Sequence, residues 1–481
     1  MRTLNKYIAG ISTAAVLLTA MSCSKSFYTD KNVNPNAPTS VLPKVLLTPI
    51  EVSLAYTQGG DMTRFTGMFA QQTTGVSRQS AAYYEYIFTN QDPEAMWDNM
   101  YTADMYNDYH LMQVCSSGTY NGYKGITEVL MAYSLQVMVD CWGKVPYSTA
   151  LQGAANVYPT YDDDKVLYGK VITLCNQGIA DFNNSTNDVL LPSSDDVVYN
   201  GDLSLWTKFA HAIMARIYIH QAQTGGGNAA MADSALAHVA LSFTSNSDNA
   251  QVMFGSAATN NSPNYQFYTQ RGDISYTYDA TYSVDGNFFQ LLSNLNDPRK
   301  YDIIDSADES VGNYLNSYYQ EDNSPVEFIC YDEMMFTAAE AILRTTGNFA
   351  NAAIAYNNGI AANMAKVSSN PAVGPAISNG QIATYQAANP LPITSVNDAL
   401  AQNYLQEYIA EYMNPEAWTT WRRSCAVTGY PNGNPALSPV SGPYQSDGIP
   451  RRFLYPQSEL NLNGANVPSA TQWSPKVFWD N

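Results

Sequence analysis

The sequence predicts a mainly α fold built of helix hairpins, with long irregular loops and minor β. Two observations carry that prediction. Apolar residues recur at helical spacing in helix-length segments that come in pairs across short breaks. Between the pairs lie polar stretches rich in Gly, Pro, Asn and Ser that are too long for ordinary turns.

In chain order, the first helical segment runs from Leu42 to Gln72, with interruptions expected at Pro49 and at Gly59-Gly60. A second runs from Glu94 to Cys115. Ile126, Val129, Leu130, Tyr133 and Val137 form one apolar stripe, and Asp163 to Phe182 supplies the partner helix. From Asp202 to Gln221, the residues Trp206, Phe209, Ala210, Ile213, Met214 and Ile217 share a face, with Asp202 placed to cap the start. After the break Thr224 to Asn228, a helix over Ala229 to Leu241 closes a hairpin. Its triple glycine is a loop rather than a phosphate cradle, since no strand precedes it and no Lys-Ser or Lys-Thr follows. Asp332 to Arg344 and Phe349 to Met364 pair across Gly347-Asn348, and Val396 to Tyr412 adds one more helix. Repeated hairpins of this length resemble the tetratricopeptide architecture, in which neighbours stack to bury faces that one hairpin leaves open. The irregular stretches are Asn246 to Asp297, Asn370 to Ser395 and the part after Arg423. Within the first, Tyr276, Tyr278 and Tyr282 alternate with polar residues, which predicts a strand over Ile274 to Tyr282.

The start of the chain bears on compartment. Arg2 and Lys6 precede an apolar run, Ile8 to Ala20, that is too short to span a bilayer. It ends in Ala20-Met21-Ser22-Cys23, similar to the cleavage site of bacterial lipoproteins, so residues 1–22 are read as a lipoprotein signal peptide and Cys23 as the acylated anchor. The mature part, 23–481, is read as a single domain. Removing Arg2 and Lys6 takes the net charge from −19 to −21, which disfavours nucleic acid and anionic membrane, leaving the lipid as the only membrane contact. Beyond Cys23, five scattered cysteines do not make a disulfide framework, and Cys115, Cys141 and Cys175 fall in apolar helical segments as buried thiols. Tyrosine is the outlier of the composition, 36 residues against 16 Phe and 7 Trp, and it suits ligand surfaces that are partly wet.

Several segments, in order, resemble the SusD/RagB family of nutrient-binding outer-membrane lipoproteins, and within it the second SusD-like subgroup. They are Phe27-Tyr28-Thr29-Asp30 with Asn34-Pro35-Asn36, the turn Asp140-Cys141-Trp142-Gly143-Lys144-Val145-Pro146-Tyr147, and the helix carrying Trp206, Phe209, Ala210, Ala215 and Arg216. Asn296-Asp297-Pro298-Arg299, Ala339-Glu340-Ala341-Ile342-Leu343, Tyr404 to Arg423, and Pro450-Arg451-Arg452-Phe453-Leu454-Tyr455-Pro456 continue the series. The resemblance implies a helical core with an irregular ligand face, sitting as an outward-facing lid on a SusC-like TonB-dependent transporter in the outer membrane. It implies noncovalent capture of oligosaccharides or, in peptide-binding homologues, peptides. Lys144 stands where the family usually has Asp, and Ser24-Lys25-Ser26 lacks the acidic residues often found after the lipid Cys.

No catalytic motif is present in the sequence: there is no His-Glu-x-x-His, no Gly-x-Ser-x-Gly and no calcium loop closed by Glu. The expectation is therefore a binding protein without cofactor or metal, with a secreted glycoside hydrolase as the alternative from another class. Asp162-Asp163-Asp164 directly precedes a helix, where capping is favoured over calcium. Glu407 and Glu411 lie one turn apart, and the arginines after them point to an ion-pair network. Ligand contact is expected from two aromatic clusters in irregular segments. The first is Arg78, Tyr83, Tyr84 and Trp97; the second is Tyr265, Tyr268, Tyr276 and Tyr278.

Overall fold

Side-chain caps set where the core helices begin. The computed structural model describes residues 41–75, 77–224, 227–266, 274–275, 288–303, 318–319, 321–369 and 376–480. Its principal helices are α1 (Pro43–Thr57), α2 (Asn121–Trp142), α3 (Asp164–Asn184), α4 (Leu203–Gln221), α5 (Ala229–Val239), α6 (Tyr331–Thr345), α7 (Phe349–Val367), α8 (Val396–Ala410) and α9 (Glu416–Ser424). Asp163 caps α3 by accepting from the Lys165 amide, and Asp202, Asn228, Asn348 and Ser395 do the same for α4, α5, α7 and α8. Asp162 turns the other way and accepts the Tyr147 and Ser148 amides, each at 2.8 Å. The aspartate triplet is thus a cap and a turn clamp.

The helices stack in chain order. α2 packs on α3, α3 on α4, α4 on α5, α5 on α6 and α6 on α7, while α8 covers α6 and α7. This is the expected array of hairpins, and the stripe Trp206, Phe209, Ile213, Met214 and Ile217 is fully buried in it. Two glycines set the closest approach: a Cβ on Gly178 of α3 would stand 2.9 Å from the Gly125 carbonyl of α2, and one on Gly359 of α7 would stand 2.9 Å from the Phe336 ring of α6.

Three expectations are corrected in detail. The helix over 43–69 runs through Pro49, and Gly59-Gly60 sit in a π-helical turn, Gln58–Met62, rather than in a break. A side chain at 59 would collide with Val326, 2.4 Å from the Cβ position. Glu94 to Cys115 is likewise divided by a π-helical turn, Asn99–Met105, between the helices Glu94–Asp98 and Tyr106–Val114. The stretch read as irregular after Asn370 contains a helix, Asn379–Ala388, opened by a Ser378–Gln381 capping box.

β structure is minor. The strands are β1 (Thr74–Gly75), β2 (Val145–Pro146), β3 (Tyr161–Asp162), β4 (Ala250–Val252), β5 (Ile274–Ser275) and β6 (Val326–Ile329), forming the antiparallel pairs β1–β5, β2–β3 and β4–β6. Of the strand expected over Ile274 to Tyr282, residues 276–282 lie outside the described residues.

The family-like motifs meet one another. The Phe453 amide donates to the Cys141 carbonyl at 2.7 Å, Trp142 Nε1 donates to Leu454 O at 2.9 Å, and Tyr455 Oη donates to Lys144 O at 2.8 Å. Arg422 Nη1 donates to the carbonyls of both Asp140 and Arg451, at 2.9 and 2.8 Å, with its guanidinium over the Trp418 ring. Arg299 is held within its own motif by Asp297 and reaches Asn363 and Gln406. These residues therefore clamp the scaffold.

Cys115, Cys141, Cys175 and Cys330 are free and buried, and Cys425 is free and half-buried. Among the described residues no helix is long and apolar enough to cross a membrane.

Candidate ligand-binding site

A short strand pair links the two segments that carry the predicted clusters. Thr74 pairs with Ser275 and Gly75 with Ile274, antiparallel, three residues before Arg78. The turn after β1 is tight: a Cβ on Gly75 would overlap the Ser80 carbonyl. Arg78 begins the helix Arg78–Tyr84 with φ of +53°, and its side chain is exposed. Tyr265 is half-buried, whereas Tyr268, Tyr276 and Tyr278 lie outside the described residues.

Tyr83, Tyr84 and Trp97 are corrected by the structure. They are 5, 6 and 3 % exposed and belong to the core. Tyr83 stacks on Phe88, with ring centroids 5.0 Å apart, and its hydroxyl donates to Asp92 at 2.7 Å. Burial and that carboxylate raise its pKa, so the phenol stays protonated. Trp97 packs edge-on against Trp142 at 5.5 Å and at a tilt against Tyr101 at 4.9 Å. A ring enclosed in this way offers no face to a ligand. The reason is area: large rings between α1's continuation and the C-terminal clamp gain more by mutual burial than by exposure.

Sequence reasoning missed an open groove of about 430 Å³. One wall is the helix Tyr106–Val114, through Tyr106, Tyr109, His110 and Gln113; the other is the loop carrying Leu151, Gln152, Gly153 and Ala155. Asp104, Asp108 and Leu111 point into the core behind the first wall. The signal is legible in the sequence, since Tyr106 and Tyr109 at i and i+3 share a face with His110 and Gln113, but ligand contact is expected there only from irregular segments.

The acidic pair singled out in the sequence is interior. Glu407 and Glu411 are buried, and desolvation holds both carboxyls well above the ordinary carboxylate range. The expected arginine network is present with a different direct partner: Arg423 pairs with Glu340 at 2.6 Å, a residue further bonded by Arg344 and Tyr404, each at 2.7 Å, and the Arg423 charge acts against burial on the Glu407 carboxyl. Among the described residues no cluster of three or more His, Cys, Asp or Glu is arranged to hold a metal ion.

A family model named SusD-like_2, described as "Starch-binding associating with outer membrane", matches residues 35–456. Among solved structures, a SusD/RagB family protein of Bacteroides thetaiotaomicron is 22 % identical and superposes with a TM-score of 0.73 over 92 % of this chain and 99 % of its own. A chitin-binding protein is 21 % identical, with a TM-score of 0.72 over 91 % of this chain and 100 % of that one. A chitin-binding SusD homolog from Flavobacterium johnsoniae is 18 % identical, with a TM-score of 0.70 over 91 and 97 %. Among curated proteins none matches.

Proposed function

This chain belongs to the SusD-like family of starch-binding, outer-membrane-associating proteins, and on that premise we propose that it binds oligosaccharides noncovalently at the cell surface and hands them to a SusC-like TonB-dependent transporter. One observation carries the reading: the family match runs over residues 35–456, through the hairpin core and through both segments that carry the predicted ligand residues. The names of the similar structures place chitin beside starch as ligand classes to try. In this reading Arg78, held at the mouth of the β1–β5 pairing, donates to sugar hydroxyls, and rings from the 265–278 segment, Tyr265 among them, stack on sugar faces. Residues 1–22 act as the leader, Cys23 carries the lipid, and 23–481 works as one binding domain. No bond of the cargo is broken.

Native gels containing soluble starch, glycol chitin, xylan or mannan test the ligand class. Retardation of the detergent-solubilised full chain by at least one polysaccharide is the expected result. Unchanged migration in all four, or release of new reducing ends during incubation, overturns it. Copurification of a barrel partner supports the hand-off, and purification alone from membranes that contain the barrel removes it. A Cys23→Ala chain that stays in the membrane fraction overturns the anchor.

A further inference from the structure

We infer that the groove between the helix Tyr106–Val114 and the loop 151–158 is a second carbohydrate subsite, sharing no residue with the Arg78 face and built for an uncharged sugar. The inference rests on the proposed glycan-binding role and adds to it a site that the resemblance does not assign.

The first support is the distribution of rings. Tyr is abundant here, yet nearly all described aromatic side chains are buried or half-buried. Among the described residues the exposed tyrosines are Tyr106 at 45 %, Tyr109 at 37 % and Tyr158 at 63 %; the first two line the groove, and Tyr158 stands three residues beyond its last lining residue, Ala155. Scattered exposure is ordinary, whereas two exposed rings on one wall of a concavity are the pattern of a stacking surface. Tyrosine suits the task because its ring loses little freedom on binding and its hydroxyl stays wet.

Charge is the second support. The chain carries a net charge of −19, yet the lining of Tyr106, Tyr109, His110, Gln113, Leu151, Gln152, Gly153 and Ala155 contains no Asp, Glu, Lys or Arg. Gln113 and Gln152 each offer both a donor and an acceptor, as a sugar hydroxyl requires, and no lining Arg, Lys, Asp or Glu supplies a counter-charge for an ionic ligand. A volume of about 430 Å³ is in the range of small-ligand sites.

The far wall is preformed. Leu151 at φ +62° and Gly153 at φ +55° hold a strained turn. It is braced by Asn156 Nδ2 donating to Thr149 O at 2.7 Å and by Asn466 Nδ2 donating to Tyr158 O at 3.2 Å. A fixed wall spends little freedom on ligand binding.

Calorimetry on the detergent-solubilised full chain with maltohexaose, chitohexaose, xylohexaose and mannohexaose decides the matter. With whichever hexaose binds, Tyr106→Ala/Tyr109→Ala is expected to weaken affinity roughly tenfold or to remove one site, as aromatic stacking contacts do. Tyr106→Phe/Tyr109→Phe keeps the rings and stays within about threefold of wild type. Ala155→Trp fills the groove from the opposite wall and reproduces the loss with an unchanged melting temperature. If wild type binds and both the double alanine variant and Ala155→Trp bind equally well, the groove assignment is overturned while the glycan-binding role stands. If wild type binds none of the four, the role itself fails and takes the groove with it.

Discussion

Arg216 of α4 and Glu333 of α6 meet inside the core through two bonds, Nε to Oε1 at 2.7 Å and Nη2 to Oε2 at 2.6 Å. The guanidinium also donates to Gln136 of α2 at 3.2 Å and to the Phe328 carbonyl of β6 at 3.0 Å, and Glu416 of α9 stands 3.5 Å from it. One side chain thereby ties four elements. Replacing it by Met leaves the buried Glu333 without its guanidinium partner, which costs about 3–5 kcal/mol. The carboxyls relieve this by taking up protons, so the loss is largest above neutral pH and shrinks on acidification. Urea unfolding of Arg216→Met at pH 8 and pH 5 checks both the size and the sign.

Two glycines of α3 are expected to respond in opposite directions. Nothing lies within 4 Å of a Cβ built on Gly169, which is exposed, so Gly169→Ala gains about 0.5–1 kcal/mol from helix propensity. At Gly178 the same methyl meets Val129 at 2.8 Å and the Gly125 carbonyl at 2.9 Å, so Gly178→Ala loses about 1–3 kcal/mol. Melting temperatures of the two single variants are the measurement.

Arg78 and Trp97 separate binding from folding. Trp97→Ala opens a cavity among Trp142, Tyr101 and Tyr455 and costs about 3–5 kcal/mol of stability. Arg78→Ala, at an exposed position, changes stability by less than about 0.5 kcal/mol. It is expected to weaken binding of the retained glycan roughly tenfold, the worth of a lost charge-assisted hydrogen bond. Calorimetry beside thermal melts distinguishes the two effects.

Asp104 predicts a pH dependence. Its carboxyl is 1 % exposed, neither oxygen has a hydrogen-bond partner outside its own neighbourhood of Ser134, and burial pushes its pKa up to about 7. The unfolded value is about 3.9, so between roughly pH 4 and 7 the folded chain holds a proton that the unfolded chain has lost. Stability therefore falls as pH rises through that window. Asp104→Asn removes this contribution and is expected to be more stable than wild type at pH 8 by on the order of 1–3 kcal/mol, with little difference at pH 4. Equal pH slopes for the two chains would refute it.

The hairpins were legible because the period of Trp206, Phe209, Ile213 and Ile217 and the caps Asp202, Asn228 and Asn348 act within a few residues of chain. The motif resemblance was legible for a related reason: Asp140 to Tyr147 and Pro450 to Pro456 are local strings. That they grip each other 300 residues apart in sequence was not, since no local pattern encodes which carbonyl Arg422 will find. Tyr83 and Trp97 were misjudged for the same cause. An amphiphilic ring reads alike in a core and on a binding face, and neighbours distant in sequence, Trp142 and Tyr455 for Trp97 and Phe65 for Tyr83, decide between the two. The π-helical turns at Gln58–Met62 and Asn99–Met105 left no mark beyond Gly59-Gly60, because an extra residue in a turn shifts phase without changing composition.

Among the described cysteines, four are sealed away and the fifth is half-covered, and burial raises the pKa of Cys115 to about 12. Thiol chemistry proceeds through the deprotonated form, so these positions are kinetically mute towards oxidants and disulfide exchange. The part of the fold that holds these five thiols therefore keeps its shape whether its surroundings are aerated or reducing.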